Sequence, residues 1–164
     1  MKLFAKKTDP VIGLDIGSTS VRLLQLSSHG SGYRIDHFAT EPLGEGVVVD
    51  KAVQDVEAIS NAISRAIKNS GTRAKSCAIA VSGSAVFTKT ISLPADLADA
   101  DIESQVQIEA NQYIPYPLNE VSLDFEVLGP SARNADLIDI LLAASKNENV
   151  ESRQDAIDAA GLKA

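Results

Sequence analysis

The sequence predicts a bipartite α/β protein. Three observations carry that expectation. Short apolar segments joined by tight polar turns run from residue 11 to residue 40. One strongly amphipathic stretch, followed by a short apolar run, spans residues 52–82. After a Ser-Gly-Ser break at 82–84, a second succession reads β-α-β-β-α. The 164 residues allow one ordinary domain or two small ones. The 45% apolar and 23% charged composition is that of a folded chain, not a disordered one.

Residues 11–28 (VIGLDIGSTSVRLLQLSS) read as two strands around the turn Gly17-Ser18-Thr19-Ser20. A second turn, His29 to Gly32, leads into alternation from Tyr33 to Thr40, so three strands form an antiparallel meander. The segment 41–50 reads as a loop ending in Asp50, a suitable helix N-cap. Ala52, Val53, Val56, Ile59, Ile63, Ala66 and Ile67 then share one face of a helix, and Gly71 suits its C-cap. SCAIAVS (76–82) fits a buried parallel strand.

Val86 to Leu93 reads as a strand stopped by Pro94, and Asp96 or Asp99 can cap the next helix. Ile102, Val106, Ala110, Tyr113 and Ile114 share that helix's inner face, and Ile108 falls outside it. Pro115 and Pro117 end it, because proline lacks the N–H and clashes with the preceding turn. Strands follow at Val121–Leu128, turned by Gly129-Pro130, and at Leu137–Ala144. Val150 to Ala160 forms a weak last helix with Gly161 as its C-cap. These elements divide the chain into units 1–83 and 84–164.

Charge sharpens the division. Residues 1–89 hold 11 basic and 8 acidic side chains, and residues 90–164 hold 4 basic and 14 acidic. A net charge of −7 and an acidic second half argue against nucleic acid, which needs a basic footprint. The absence of Trp and only 4% aromatics argue against base stacking and carbohydrate faces. A single cysteine, Cys77, excludes an intrachain disulfide or cysteine metal cluster, and its apolar strand suits a buried inert thiol. Two histidines, His29 and His37, are too few for a zinc site without carboxylate helpers. No apolar run approaches the ~18 residues of a membrane span. The opening Lys2, Leu3, Phe4, Lys6 and Lys7 lack the apolar core of a secretory signal and supply too little apolar area for a lipid anchor. The expected compartment is the cytoplasm.

The chemistry-bearing candidate is Asp15-Ile-Gly17-Ser18-Thr19-Ser20-Val-Arg22. An aspartate ending a strand, then glycine and hydroxyl residues in a tight turn, can receive a polyphosphate. Glycine lets the backbone approach, turn N–H groups form an anion concavity, and Asp15 can hold a metal through water. An ordinary hairpin with small polar turn residues fits the same string. His37 beside Asp36 suggests a catalytic pair, but adjacent strand residues point to opposite faces. Tyr113 and Tyr116 suit packing at a helix end, and Ile108 a single exposed apolar contact.

The hairpin resembles the first phosphate loop of the actin, sugar kinase and heat-shock chaperone ATPases. The run VIGLDIGSTSVRLLQL, then EPLGEGVVVD, AIAVSGSAVFTKTISLP and EANQYIPYP, resembles the PilM family in order along nearly the whole chain. These are actin-like proteins of type IV pilus assembly related to the division protein FtsA. The resemblance implies that residues 8–83 are part of an actin-like, ribonuclease-H-like subdomain. It implies that 84–164 are the small subdomain shared with FtsA. It further implies a cytoplasmic scaffold, peripheral at the inner membrane, holding the N-terminal tail of a PilN-like partner between the subdomains. ATP with Mg²⁺ would be held partly by Asp15, Gly17, Ser18, Thr19 and Ser20. An ATPase or phosphotransferase, or an FtsA-like filament former, are the other readings of the same superfamily.

The chain also departs from the nucleotide-binding pattern. A second phosphate loop is missing, and no Gly-Gly pair stands for the adenosine motif. No residue to position water or activate a hydroxyl is identifiable, so a binding protein and not an enzyme is expected. The string is expected to be the N-terminal portion of a longer protein, ending where the family's chain returns to its first subdomain. Alone it should bind ATP weakly or not at all and expose an apolar sheet edge and a bare helix face.

Overall fold

The computed structural model describes residues 9–81 and 83–164. The charged N-terminal stretch around Lys2, Phe4 and Lys7 therefore lies outside the described residues. Two compact units result among the described residues, one running to residue 80 and including 151–164, and one of residues 81–150.

The first unit is built on a four-stranded sheet of order β3-β2-β1-β6. The strands are β1 (Val11–Ile16), β2 (Ser20–His29), β3 (Gly32–Pro42) and β6 (Ser76–Ile79). The meander β1-β2-β3 is antiparallel, and β6 lies parallel to β1, with Ile12 opposite Cys77. A parallel neighbour needs a crossover, and α1 (Val56–Ser70) lies between β3 and β6 in the chain. The period-2 alternation of the strands sends Ile12, Leu14, Val21, Leu23, Ala39 and Cys77 to one face, where Ile59, Ala62, Ile63 and Ala66 of α1 meet them. Burial pushes the Cys77 thiol pKa up, with Asp158 adding to the shift. The buried Glu41 carboxylate of β3 accepts from Arg65 Nε at 3.1 Å and Asn69 Nδ2 at 2.6 Å, tying β3 to α1.

The expected cap of α1 is corrected. Asp50 does not stand at the start of the helix; it lies within a small hairpin of β4 (Val48–Val49) and β5 (Ala52–Val53). Its two-residue turn is Asp50-Lys51, with φ of 48° and 68°, the left-handed pair that joins strands so closely. The cap is Asp55, whose Oδ1 accepts from Ala58 N–H at 2.8 Å. Loss of such a cap costs about 1 kcal/mol. Asp55→Ala is therefore expected to lower the stability of the first unit by about that much in chemical denaturation, whereas Asp50→Ala leaves α1 capped. Gly71 closes the helix as expected, with φ of 70° and its N–H on the Ile67 carbonyl.

The last helix, α3 (Asn147–Ala159), crosses the unit boundary. Asn147 accepts from Ser122 and donates to the Asn119 carbonyl, whereas Ala156, Ile157 and Leu162 are buried in the first core. Residues 151–164 therefore complete the first unit rather than the second, and the expected boundary at 83/84 becomes two crossings. The return to the first unit, expected beyond the end of the string, is already made: Lys163 donates to the Lys75 carbonyl, and its own carbonyl accepts from Cys77. Buried Arg153 anchors the same return, donating from Nη2 to the Lys51 carbonyl at 2.8 Å.

The exposed apolar surface also falls elsewhere than expected. The helix face is covered; the bare surface is the opposite face of the sheet. There Val11, Leu24, Leu26, Ile35 and Phe38 are exposed, Phe38 by 68%.

The second unit is a three-stranded antiparallel sheet of order β7-β9-β8. Its strands are β7 (Val86–Pro94), β8 (Val121–Pro130) and β9 (Leu137–Lys146), with α2 (Asp99–Tyr113) on one face. Ile91, Leu93, Ile140 and Leu142 of the sheet pack with Ile102, Val106, Ala110 and Ile114 of α2. Neither Asp96 nor Asp99 caps α2: the cap position is Ala98, without a side-chain bond. Tyr113 is partly exposed and not part of that core. Lys89 stacks on its ring and Lys146 on Tyr116, each 4.9 Å from the centroid. Gly129 is not a turn residue but part of a bulge in β8, with φ of 114°.

Candidate functional site

The expected phosphate-binding residues all lie at or beside the β1–β2 hairpin. Ile12 and Leu14 point into the core, so Gly13 and Asp15 point to the open face. Asp15 stands opposite Arg22 in register, and their side chains form an ion pair, Oδ2 to Nε 3.4 Å, in which both are more than half exposed. Solvent screens such a pair, so it orients the two groups more than it stabilises the fold.

Gly17 donates its N–H to the Ser20 carbonyl at 2.9 Å, leaving Ser18 and Thr19 as the exposed two-residue tip. The Thr19 carbonyl accepts from Leu43 N–H at 2.9 Å, which ties the tip to the chain after β3. A Cβ on Gly17 would lie 3.3 Å from the Ser20 carbonyl oxygen and 3.6 Å from Arg22 Nη2. Glycine therefore keeps the space beside Arg22 clear. Asp15, Gly17, Ser20 and Arg22 form one cluster, and Ser18 and Thr19 project from its tip.

Arg22 closes the candidate string, but the sequence reading gave it no role; the structure pairs it with Asp15. Pairing outward from the tight turn places it across from Asp15, so strand register alone could have found it. Beside this cluster the open face forms a depression of about 680 Å³. Gly13, Leu24, Phe38, Thr40 and Ala78 line it together with Asp15 and Arg22. It is apolar except at the Asp15–Arg22 end.

The hairpin offers the chemical parts an anion uses: a short backbone turn, three hydroxyls and a nearby guanidinium. Asp15 could reach a cation only while sharing its carboxylate with Arg22. Among the described residues, no group of three or more His, Cys, Asp or Glu side chains is placed to hold a metal ion. His37 and Asp36 do not form a pair. His37 Nδ1–H donates to the Ser70 carbonyl at 2.7 Å, and Asp36 accepts from Arg34 Nε at 2.8 Å. Among the described residues, no helix is long and apolar enough to cross a membrane.

A family model described as type IV pilus assembly protein PilM matches residues 13–164. Among solved structures, the chain is similar to one in a PilM-PilN type IV pilus biogenesis complex. The TM-score is 0.81 and the identity 28%, over 93% of the present chain. The match spans 45% of that structure's chain, so more than half of the solved protein has no counterpart in these 164 residues.

Proposed function

Because the chain belongs to the PilM family of type IV pilus assembly proteins, we propose that it forms part of a pilus-assembly scaffold. In this reading it holds the N-terminal cytoplasmic tail of a PilN-like inner-membrane protein. The observation that carries the reading is the 0.81 TM-score over 93% of the chain to a protein solved in a PilM-PilN complex. The first unit then serves as part of an actin-like subdomain, and residues 81–150 as the inserted subdomain shared with FtsA. The two supply the walls for the tail, and the protein sits at the cytoplasmic face of the membrane through its partner.

Nucleotide is the proposed regulatory ligand of the family-length protein. Ser18, Thr19 and Ser20 would bond its phosphate oxygens, Gly17 would admit them, and Asp15 would meet Mg²⁺ through water. We assign binding and not turnover, because no residue of the hairpin is identifiable as one that positions water or activates a substrate hydroxyl.

The test is titration of a labelled peptide, copied from the partner's N-terminal tail, into the family-length protein. Saturable binding is expected, and it should vanish when residues 81–150 are replaced by a short linker. Binding that survives the replacement overturns the two-wall reading. A peptide that never saturates the intact protein overturns the PilN-like assignment.

A further inference from the structure

We propose that the free edge of β8 accepts an extended peptide segment as an added strand, with basic side chains on its outer face and apolar ones on its inner face. The sheet order β7-β9-β8 gives β8 a partner on one side only, among the described residues. An unpaired edge presents backbone donors and acceptors ready for another strand.

Hydrogen-bond alternation identifies those groups. Ser131 N–H donates to the Leu137 carbonyl. Stepping by two along β9 places Leu141, Ala143 and Ser145 in the ladder with Glu126, Asp124 and Ser122. The backbone groups of Leu123, Phe125 and Val127 therefore point off the edge. Phe125 N–H confirms this, because it donates to the Asp124 carboxylate at 2.9 Å instead of to β9. An incoming carbonyl would take over that donor and free the carboxylate for a basic side chain.

The side chains define the partner. Leu123 and Phe125 are half-buried and Val127 is 45% exposed, an apolar row that a neighbouring strand would cover. Exposed Asp124 and Glu126 form the outer row. Residues 81–150 carry 11 acidic and 3 basic side chains, so the wider field also favours a basic segment. A second copy fits poorly, since pairing two β8 edges would bring their acidic rows together. The β7 edge is protected: Lys89 points into its inner row, over Tyr113. In β8 the bulge and Pro130 lie beyond Val127, leaving Val121–Val127 regular. None of this depends on the pilus reading, because it rests on the strand edge and its charges alone.

The test uses the 164-residue chain and a fluorescein-labelled Lys-Val-Lys-Val-Lys-Val peptide, followed by anisotropy and amide exchange. Saturable binding is expected, with slowed exchange at Leu123, Phe125 and Val127. The double variant Asp124→Lys/Glu126→Lys, whose positions are exposed, should bind about tenfold more weakly. The same peptide N-methylated at alternate residues, which needs no variant, should lose binding because its backbone cannot pair. The inference is overturned by no binding, by binding that survives N-methylation, by an unchanged affinity of the double variant, or by protection on β7 instead.

Discussion

Ile157→Ala is expected to destabilise the first unit by about 2–5 kcal/mol, while amide protection in β7, β8 and β9 remains as in the parent. Ile157 is fully buried in the core that holds Ile12, Leu23, Ile59 and Ile63. Its truncation removes apolar burial and leaves a cavity that the packed sheet and helix close only in part. Leu142→Ala, fully buried in the other core, should show the mirror image: lost protection in β7–β9 and none in β1, β2 or α1. Native-state hydrogen exchange reads both units in one sample. Sites with no shared partner behave independently. Equal loss in both units from either substitution would mean a single cooperative body, and the division at residues 80/81 and 150/151 would be wrong.

Gly17→Val is expected to weaken Mg-ATP binding by the family-length protein roughly hundredfold, the loss of about two charge-assisted hydrogen bonds, with a small change in melting temperature. Gly17 lies outside the left-handed region, so the substitution acts through space and not through backbone strain. The added Cβ already stands 3.3 Å from the Ser20 carbonyl oxygen and 3.6 Å from Arg22 Nη2. The two further methyls would occupy the volume from which a phosphate reaches the turn. Calorimetric titration measures the affinity and a thermal melt the fold. An unchanged affinity in a folded variant removes the hairpin from the nucleotide site and leaves it an ordinary turn. Steady-state ATP hydrolysis by the parent protein would separately favour the phosphotransfer reading over a regulatory ligand.

The legible parts of the fold share one cause. The β1–β2–β3 meander, α1 with its Gly71 cap, and β8 and β9 are each written as local period or turn chemistry within a few residues. The failures arise where pairing or packing between segments decides. Asp50 and Asp55 both precede an apolar-periodic run, and the pairing of Val48 with Val53 draws Asp50 into a hairpin turn and leaves the cap to Asp55. Arg153 makes the same point: nothing in its local sequence marks it, yet it is 3% exposed and bonded to a carbonyl 102 residues earlier. At the candidate site, every residue of the turn string was legible from composition. The Arg22 contact was not legible from composition, because it follows only from the register across the hairpin.

By itself the sequence determined the two-part character of the chain, the type and order of most elements, the acidic excess of the later half and the phosphate-loop string. Periodicity and charge are properties of neighbours in the chain, and they survive without a fold. Only the tertiary structure decided that residues 151–164 rejoin the first core. It also decided that the exposed apolar surface lies on the sheet, and that Asp15 shares its carboxylate with Arg22. With these boundaries the charge step keeps its sign but is smaller: residues 81–150 carry 11 acidic and 3 basic side chains, and the remainder carries 11 acidic and 12 basic. Ala156, Ile157 and Leu162 gain their burial against strands more than 75 residues away, a contact that no local pattern encodes.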